Sequence, residues 1–389
     1  MTADTLLPPQ LEAPEQFVRR PGTSVVTDNQ RQLLDQVRRA EKLTRSDLMR
    51  ACGLSPAGAK GLIDELVERG ALKLGDTIIK GRGQPSATVE LAPGFAYSLG
   101  IAVAVDNVRV MLVDFKGMPI DEMEQCLFPL ELDAAIDFVC TAIGQLLARH
   151  GIASSRVLGA GLSMTGPFYG VKRRVNPPDS MPAPWATSDL ESLFAQAIGF
   201  PVVMENDSNC AAVAEALHGW GRSTERFAYL HFSDGFACGL IEGGRLLSGA
   251  HGNAGEIGRL YARLGLRRPS LEFLRQDLAA TGIHFTSIDA MLAGYDDGWP
   301  ALDTWLDQVM PGLNLTIAAL TALLDPAYII FGARLPQALA TRMIDRIAFE
   351  DRPRRGLHAP NPVLSVTHLG HHAPSLGAAL LPLKWHFFS

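Results

Sequence analysis

Residues 201–212 read Pro-Val-Val-Met-Glu-Asn-Asp-Ser-Asn-Cys-Ala-Ala. Asn206 can both donate to and accept from an alcohol group, and Asp207 can accept its proton. The apolar run Val202, Val203, Met204 predicts a short buried strand, and the alanines beyond Asp207 predict a helix. Glu205, Asn206 and Asp207 then stand at the carboxyl end of a strand, where open α/β sheets bind ligands. A polar turn with Asp207 near a helix N-terminus has the same pattern. The pair alone leaves both readings open.

Three more segments carry a pattern: Gly159-Ala-Gly-Leu-Ser-Met-Thr-Gly-Pro167, Gly249-Ala-His-Gly-Asn-Ala-Gly-Glu-Ile-Gly258 and Ser375-Leu-Gly-Ala-Ala379. With Glu205-Asn-Asp-Ser-Asn209, and in this order, they resemble the ROK family (repressors, open reading frames and kinases) from about residue 93 to the C-terminus. The resemblance implies an α/β chain with a two-lobed, actin-like, ribonuclease-H-type ATPase body. It also implies that Asp207 matches the base that activates a sugar hydroxyl, and that Asn206, Asp207, Glu256 and Glu272 match the sugar-hydroxyl ligands. Asn176, ahead of Trp185, matches an Asn…Trp loop, and Gly166 lets backbone lie close to a ligand.

The nucleotide half departs from the family. Residues 97–105 and 108–115 read as a hairpin and 123–128 as a third strand. Ala102 stands where ROK kinases carry the metal-binding Asp of Asp-x-Gly-Gly-Thr, and Ala104 replaces a Gly. Asp106 falls in the hairpin turn. Ser233-Asp-Gly-Phe-Ala237 replaces a second phosphate loop, and Asp234 would oppose phosphate charge. The family's zinc positions are Arg259, Arg263, Gly265 and Ser270, none of them a zinc ligand. No cofactor is expected, and Asp207 becomes a vestigial base. Arg259 reads either as part of a solvated basic loop with Arg263, Arg267 and Arg268, or as a guanidinium suited to a phosphorylated or acidic sugar.

Ahead of this body, residues 1–27 hold Pro8, Pro9, Pro14 and Pro21 and little periodicity, which predicts a loosely ordered tail. Thr27 with Gln30, and Thr44 with Asp47, form capping boxes; Ser55 with Pro56 opens a third helix that Gly70 closes. Residues 72–74 and 77–79 read as a hairpin around Gly75-Asp76. Three helices and a hairpin describe a winged helix-turn-helix, or a plain three-helix interaction module. Gly81-Arg-Gly-Gln-Pro85 resembles the minor-groove arm of ROK repressors, with Arg82 and Gln84 as its polar side chains. Arg45, Ser55 and Lys60 complete the DNA-facing candidates. Gly58 and Gly61 leave the third helix few side chains for base edges, and each costs roughly 1 kcal/mol relative to Ala.

Composition agrees with an ordinary soluble chain: 389 residues, 47% hydrophobic and 20% charged. Net charge is −6, divided mildly between the 28–92 segment and the remainder. Five scattered cysteines argue against a disulfide frame or metal site. The absence of a signal-peptide core and of a membrane-length apolar run predicts a cytoplasmic protein without a membrane partner. The expected organisation is a tail (1–27), a winged helix-turn-helix (28–92) and a ROK body (93–389). Lobe 1 takes about 93–205 plus 374–389, and lobe 2 about 206–373. The expected function is sugar-responsive regulation of transcription by a homodimer or higher homo-oligomer, acting as a repressor of carbohydrate genes. Its partners would be a double-stranded DNA operator and a sugar or sugar derivative. The alternative is an active sugar kinase with an accessory DNA-binding head.

Overall fold

Thr27, Thr44 and Ser55 each start a helix by giving side-chain oxygen to an unpaired amide. Thr27 accepts from the Gln30 amide at 3.3 Å, and Gln30 reaches back to the Thr27 amide at 2.9 Å, capping α1 (Asp28–Arg39). β1 (Leu43–Thr44) leads into α2 (Arg45–Ala51), where Thr44 and Asp47 form the second box. α3 (Pro56–Glu68) starts on the Ser55 cap, with Pro56 in the first turn. Leu33, Leu34, Leu48, Ile63 and Leu66 are fully buried where the helices meet. The computed structural model describes residues 26–40, 43–78, 86–170, 173–349, 355 and 357–388.

The wing corrects the sequence reading. Residues 72–78 do not fold back on themselves. β2 (Leu72–Ile78) is one strand, bulged between Leu74 and Thr77, and it pairs with β3 (Ser86–Leu91) in a sheet ordered β1-β3-β2. The glycine has another use. A Cβ on Gly75 would lie 2.5 Å from Thr88 Oγ1 and 2.6 Å from Glu90 Oε1, so Gly75 admits the facing strand. Arg82 and Gln84 lie outside the described residues.

The body holds two sheets of the same design. Lobe 1 runs β4 (Tyr97–Val103), β5 (Asn107–Asp114), β6 (Pro119–Cys126), α4 (Leu132–Arg149), β7 (Val157–Met164), the short pair β8 (Phe168–Tyr169) and β9 (Arg174–Val175), α5 (Pro184–Thr187), α6 (Leu190–Ile198) and β10 (Val202–Asn206). Its sheet order is β10-β7-β4-β5-β6. Next come α7 (Asp207–His218), β11 (Phe227–Phe232), β12 (Phe236–Glu242), β13 (Arg245–Leu246), α8 (Gly258–Leu264), α9 (Leu271–Ala280), α10 (Ile288–Ala293), α11 (Pro300–Leu324), β14 (Tyr328–Ala333), α12 (Gln337–Asp345), β15 (Val363–Val366) and α13 (Ala373–His386). The second sheet is β13-β12-β11-β14-β15. In both, three antiparallel strands precede two added in parallel to the first. This repeat is the ribonuclease-H-type body expected.

α7 and α13 lie together between the sheets, α13 on β4 and β7, α7 on β11 and β12. Residues 207–215 of α7 are all buried, and its alanines let it fit there. A Cβ on Gly377 would come 1.7 Å from the Cys210 carbonyl, so only glycine lets the two helices touch at that point.

The head is docked on the ends of these helices. Arg31 of α1 donates to the carbonyls of Lys384 (2.6 Å) and Trp385 (2.8 Å), and to that of Phe388. These are free carbonyls at the end of α13, where a cation is favoured. Phe115 packs edge-on to Phe95 and Phe387 at 4.8 and 4.9 Å between centroids, continuing the head's core into the body.

Candidate functional site

β10 is buried along its length and ends in Asn206, which caps α7 by accepting from the Ser208 amide at 2.9 Å and the Ser208 hydroxyl at 2.6 Å. Its amide nitrogen points the other way, to the Gly166 carbonyl at 3.2 Å and Glu256 Oε1 at 3.5 Å. Asp207 Oδ1 accepts from the Ser208 amide at 2.7 Å, while Oδ2 lies 3.4 Å from His231 Nε2. The helix N-terminus thus holds a carboxylate and a carboxamide at the head of a cleft. Gly166 sits at φ 104°, and a Cβ there would meet the Asn176 carbonyl at 2.3 Å. Glycine lets these two loops form one wall.

The cleft encloses about 650 Å³, and its lining includes Gly166, Asn176, Asn206, Asp207, Glu256 and Arg259. It lies within the range of small-ligand sites. Burial first, and then the Asp207 charge, pushes the Glu256 carboxyl up to about 7 and the Asp234 carboxyl up to about 6. Carboxyl, carboxylate and carboxamide groups on one wall offer a polyhydroxyl ligand both donors and acceptors. Arg259 is exposed at the rim.

One expected ligand does not join them. Glu272 stands in the first turn of α9, where Arg275 grips it at 2.7 and 2.8 Å and Gln276 donates at 3.0 Å, and it does not line the cleft. Its own helix supplies a cation one turn on, and that pair sets its direction. Three other groups join the site. His231 faces Asp207. Asn209 donates to Glu205 at 2.9 Å. Arg173 reaches Glu205 at 3.3 Å and lies 4.3 Å from the Phe168 ring centroid. No spacing in the sequence marks these contacts.

Around Ala102 and Ala104 the cleft is narrow. Ala102 and Ala104 border a gap of only about 60 Å³, shared with Asp207, His231 and Arg334. Arg334 donates to Asp106 at 2.9 and 3.3 Å and also to Asp289, all three drawn together between the lobes. Ala333, in the left-handed region at φ 67°, turns the chain at the end of β14 just before Arg334. The only hint in the sequence was a cation straight after an apolar strand.

Two of the positions that the resemblance aligns with zinc ligands, Gly265 and Ser270, take part in helix ends. Gly265 ends α8 at φ 65°. Ser270 caps α9 and donates its hydroxyl to the Asp234 carbonyl at 2.6 Å, tying that loop to the helix. Arg267 pairs with Asp277 at 2.7 Å. Among the described residues no three His, Cys, Asp or Glu side chains gather as metal ligands.

In the head, Lys60 is exposed on α3 and Ser55 is occupied as its cap. Arg45 pairs with Asp64 at 2.9 Å. Lys60 is the only cation in α3, against Asp64, Glu65 and Glu68.

A winged helix-turn-helix ahead of a duplicated, sugar-kinase-like body defines the class. Residues 99–274 match the model of the ROK family. It is 26% identical over 364 residues to an uncharacterised protein, y4fQ, of Sinorhizobium fredii, covering 93% of this chain and 92% of that one. It is 25% identical over 239 residues to the xylose repressor of Bacillus spizizenii, spanning 61% of each. In fold it resembles a ROK family transcriptional regulator described as a homolog of the Escherichia coli MLC protein. The TM-score is 0.68 at 18% identity, over 96% of both chains. No helix among the described residues is long and apolar enough to cross a membrane.

Proposed function

We propose that the protein is a sugar-responsive, DNA-binding transcriptional regulator, a repressor of carbohydrate-metabolism genes that acts as a cytoplasmic homodimer on a double-stranded operator. The observation that carries this reading is the contrast between the two halves of one cleft. Asn206, Asp207 and Glu256 converge on open space, while Arg334, Asp106 and Asp289 occupy the nucleotide side. Such a body binds a polyol without phosphorylating it, and no bound metal or nucleotide is needed. The similarity to a xylose repressor supports the same reading. Arg82, Gln84, Lys60, Arg45 and Ser55 are the proposed DNA-facing residues, with Arg82 reading minor-groove shape.

The sugar must bind the two lobe arrangements with different affinity to move the heads. The test is thermal stability against neutral sugars, amino sugars, sugar phosphates and magnesium-ATP. A ligand at about a hundred times its dissociation constant adds roughly 2.7 kcal/mol. A sugar shift that disappears in Asp207→Ala, without a response to magnesium-ATP, is the expected result. A magnesium-ATP shift or sugar-dependent ADP release would instead favour the second reading, an active sugar kinase. The placement of Asp207 on both sides of the cleft keeps that reading specific.

A further inference from the structure

A second large cavity opens where the head meets the body. It encloses about 580 Å³ and lies between α1 and β3 on one side and the end of α7 on the other. Four cations border it: Arg38 and Arg39 from the head, Lys116 and Arg222 from the body. Its apolar wall is made by Val37, Leu91, Met118 and Leu217.

The nearby carboxylates are already engaged. Asp35 holds Arg38 at 2.8 Å and Arg39 at 2.9 Å. Glu225 reaches Arg39 at 3.2 Å, and Glu90 faces Lys73 at 3.6 Å. Those pairs also engage Arg38 and Arg39, while Lys116 and Arg222 add two further cations to a lining that holds two carboxylates, Glu90 and Glu225. Two buried side chains register the resulting field. Burial first, then Arg38, pushes His218 down to about 4 and Lys384 down to about 8.

We propose that this junction cavity binds a small phosphorylated metabolite, whose phosphate meets the guanidinium groups and whose carbon body lies on the apolar wall. Guanidinium forks match phosphate oxygens, and the volume suits a small organic ligand. The metabolite touches head and body together, so binding it fastens α1 to α7. That contact also reaches the sugar cleft. α7 begins at Asp207 and ends at His218, a single rod of 12 residues, roughly 18 Å long. Occupation of either end biases the same helix.

The site does not depend on the sugar reading, and the test keeps the two apart. Inorganic pyrophosphate and glycerol 3-phosphate are titrated into the full chain by calorimetry. Arg222→Ala and Lys116→Ala are compared with wild type, each checked for an unchanged melting temperature. Saturable binding that weakens at least tenfold in both variants, and is unchanged in Asp207→Ala, is expected. Slower amide exchange across Asp28–Arg39 with glycerol 3-phosphate should accompany it. No saturable binding of either probe, or binding by both variants as tight as wild type, would overturn the proposal. Loss of binding in Asp207→Ala alone would also overturn it, because the phosphate would then belong to the sugar cleft.

Discussion

Arg334 and Asp106 meet across the two lobes at 2.9 Å, although 228 positions separate them in the chain. Asp106 is 2% exposed, and Asp289 shares the same guanidinium. The pair occupies the ground between the turn after β4 and the end of β14.

Removing the cation leaves two carboxylates facing each other in a buried gap. Arg334→Ala should therefore destabilise the chain by about 3–5 kcal/mol in urea unfolding. Adding Asp106→Asn and Asp289→Asn should recover most of that loss. If the single change is neutral, the clasp does not hold the lobes.

The acid pocket gives a pH dependence with a defined sign. Glu256 is raised from 4.5 to about 7 in the folded chain, and Asp234 from 3.8 to about 6. The folded state holds these protons more tightly than the unfolded state. Their contribution to stability is complete below about pH 4 and is lost as pH rises through 6 and 7. Glu256→Gln should be more stable than wild type at pH 8, by on the order of 2 kcal/mol, and should flatten the slope between pH 5 and 7. Equal pH profiles for the two proteins would contradict this.

Glu272 and Asp207 should separate in ligand binding. Glu272 is held by Arg275 on its own helix, so Glu272→Gln should keep the full sugar-induced rise in melting temperature. The lost surface pair should cost no more than about 1 kcal/mol. Asp207→Ala should abolish the rise. A Glu272→Gln protein blind to sugar would place that carboxylate in the bound cleft.

Arg31 should govern how firmly the head sits on the body. Its guanidinium serves three carbonyls at the end of α13. Arg31→Ala should lower stability by roughly 2 kcal/mol and speed amide exchange near α1. Arg31→Lys should restore little of this, because one ammonium cannot reproduce the fork. Unaltered exchange would mean that the phenylalanine cluster alone fixes the head.

Much of this protein could be read along the chain because the causes are local. A capping box needs only a hydroxyl and a partner three residues on, so Thr27–Gln30 and Thr44–Asp47 announce their helices. Asn206 and Asp207 follow an apolar strand at once, which places them at a sheet end. That Ala102 and Ala104 stand where ROK kinases carry Asp and Gly is read from the resemblance along the chain alone. What tertiary structure alone decided involves partners far apart in sequence. Gly75 suggested a tight turn until the facing strand, supplied by Thr88 and Glu90, gave it another role. Glu272 faces its own helix and not the cleft. Arg31 finds carbonyls more than 350 positions away. Arg334 closes on Asp106 because β4 and β14 belong to two copies of one sheet design whose ends meet, and only packing the copies against α7 and α13 brings those charges together.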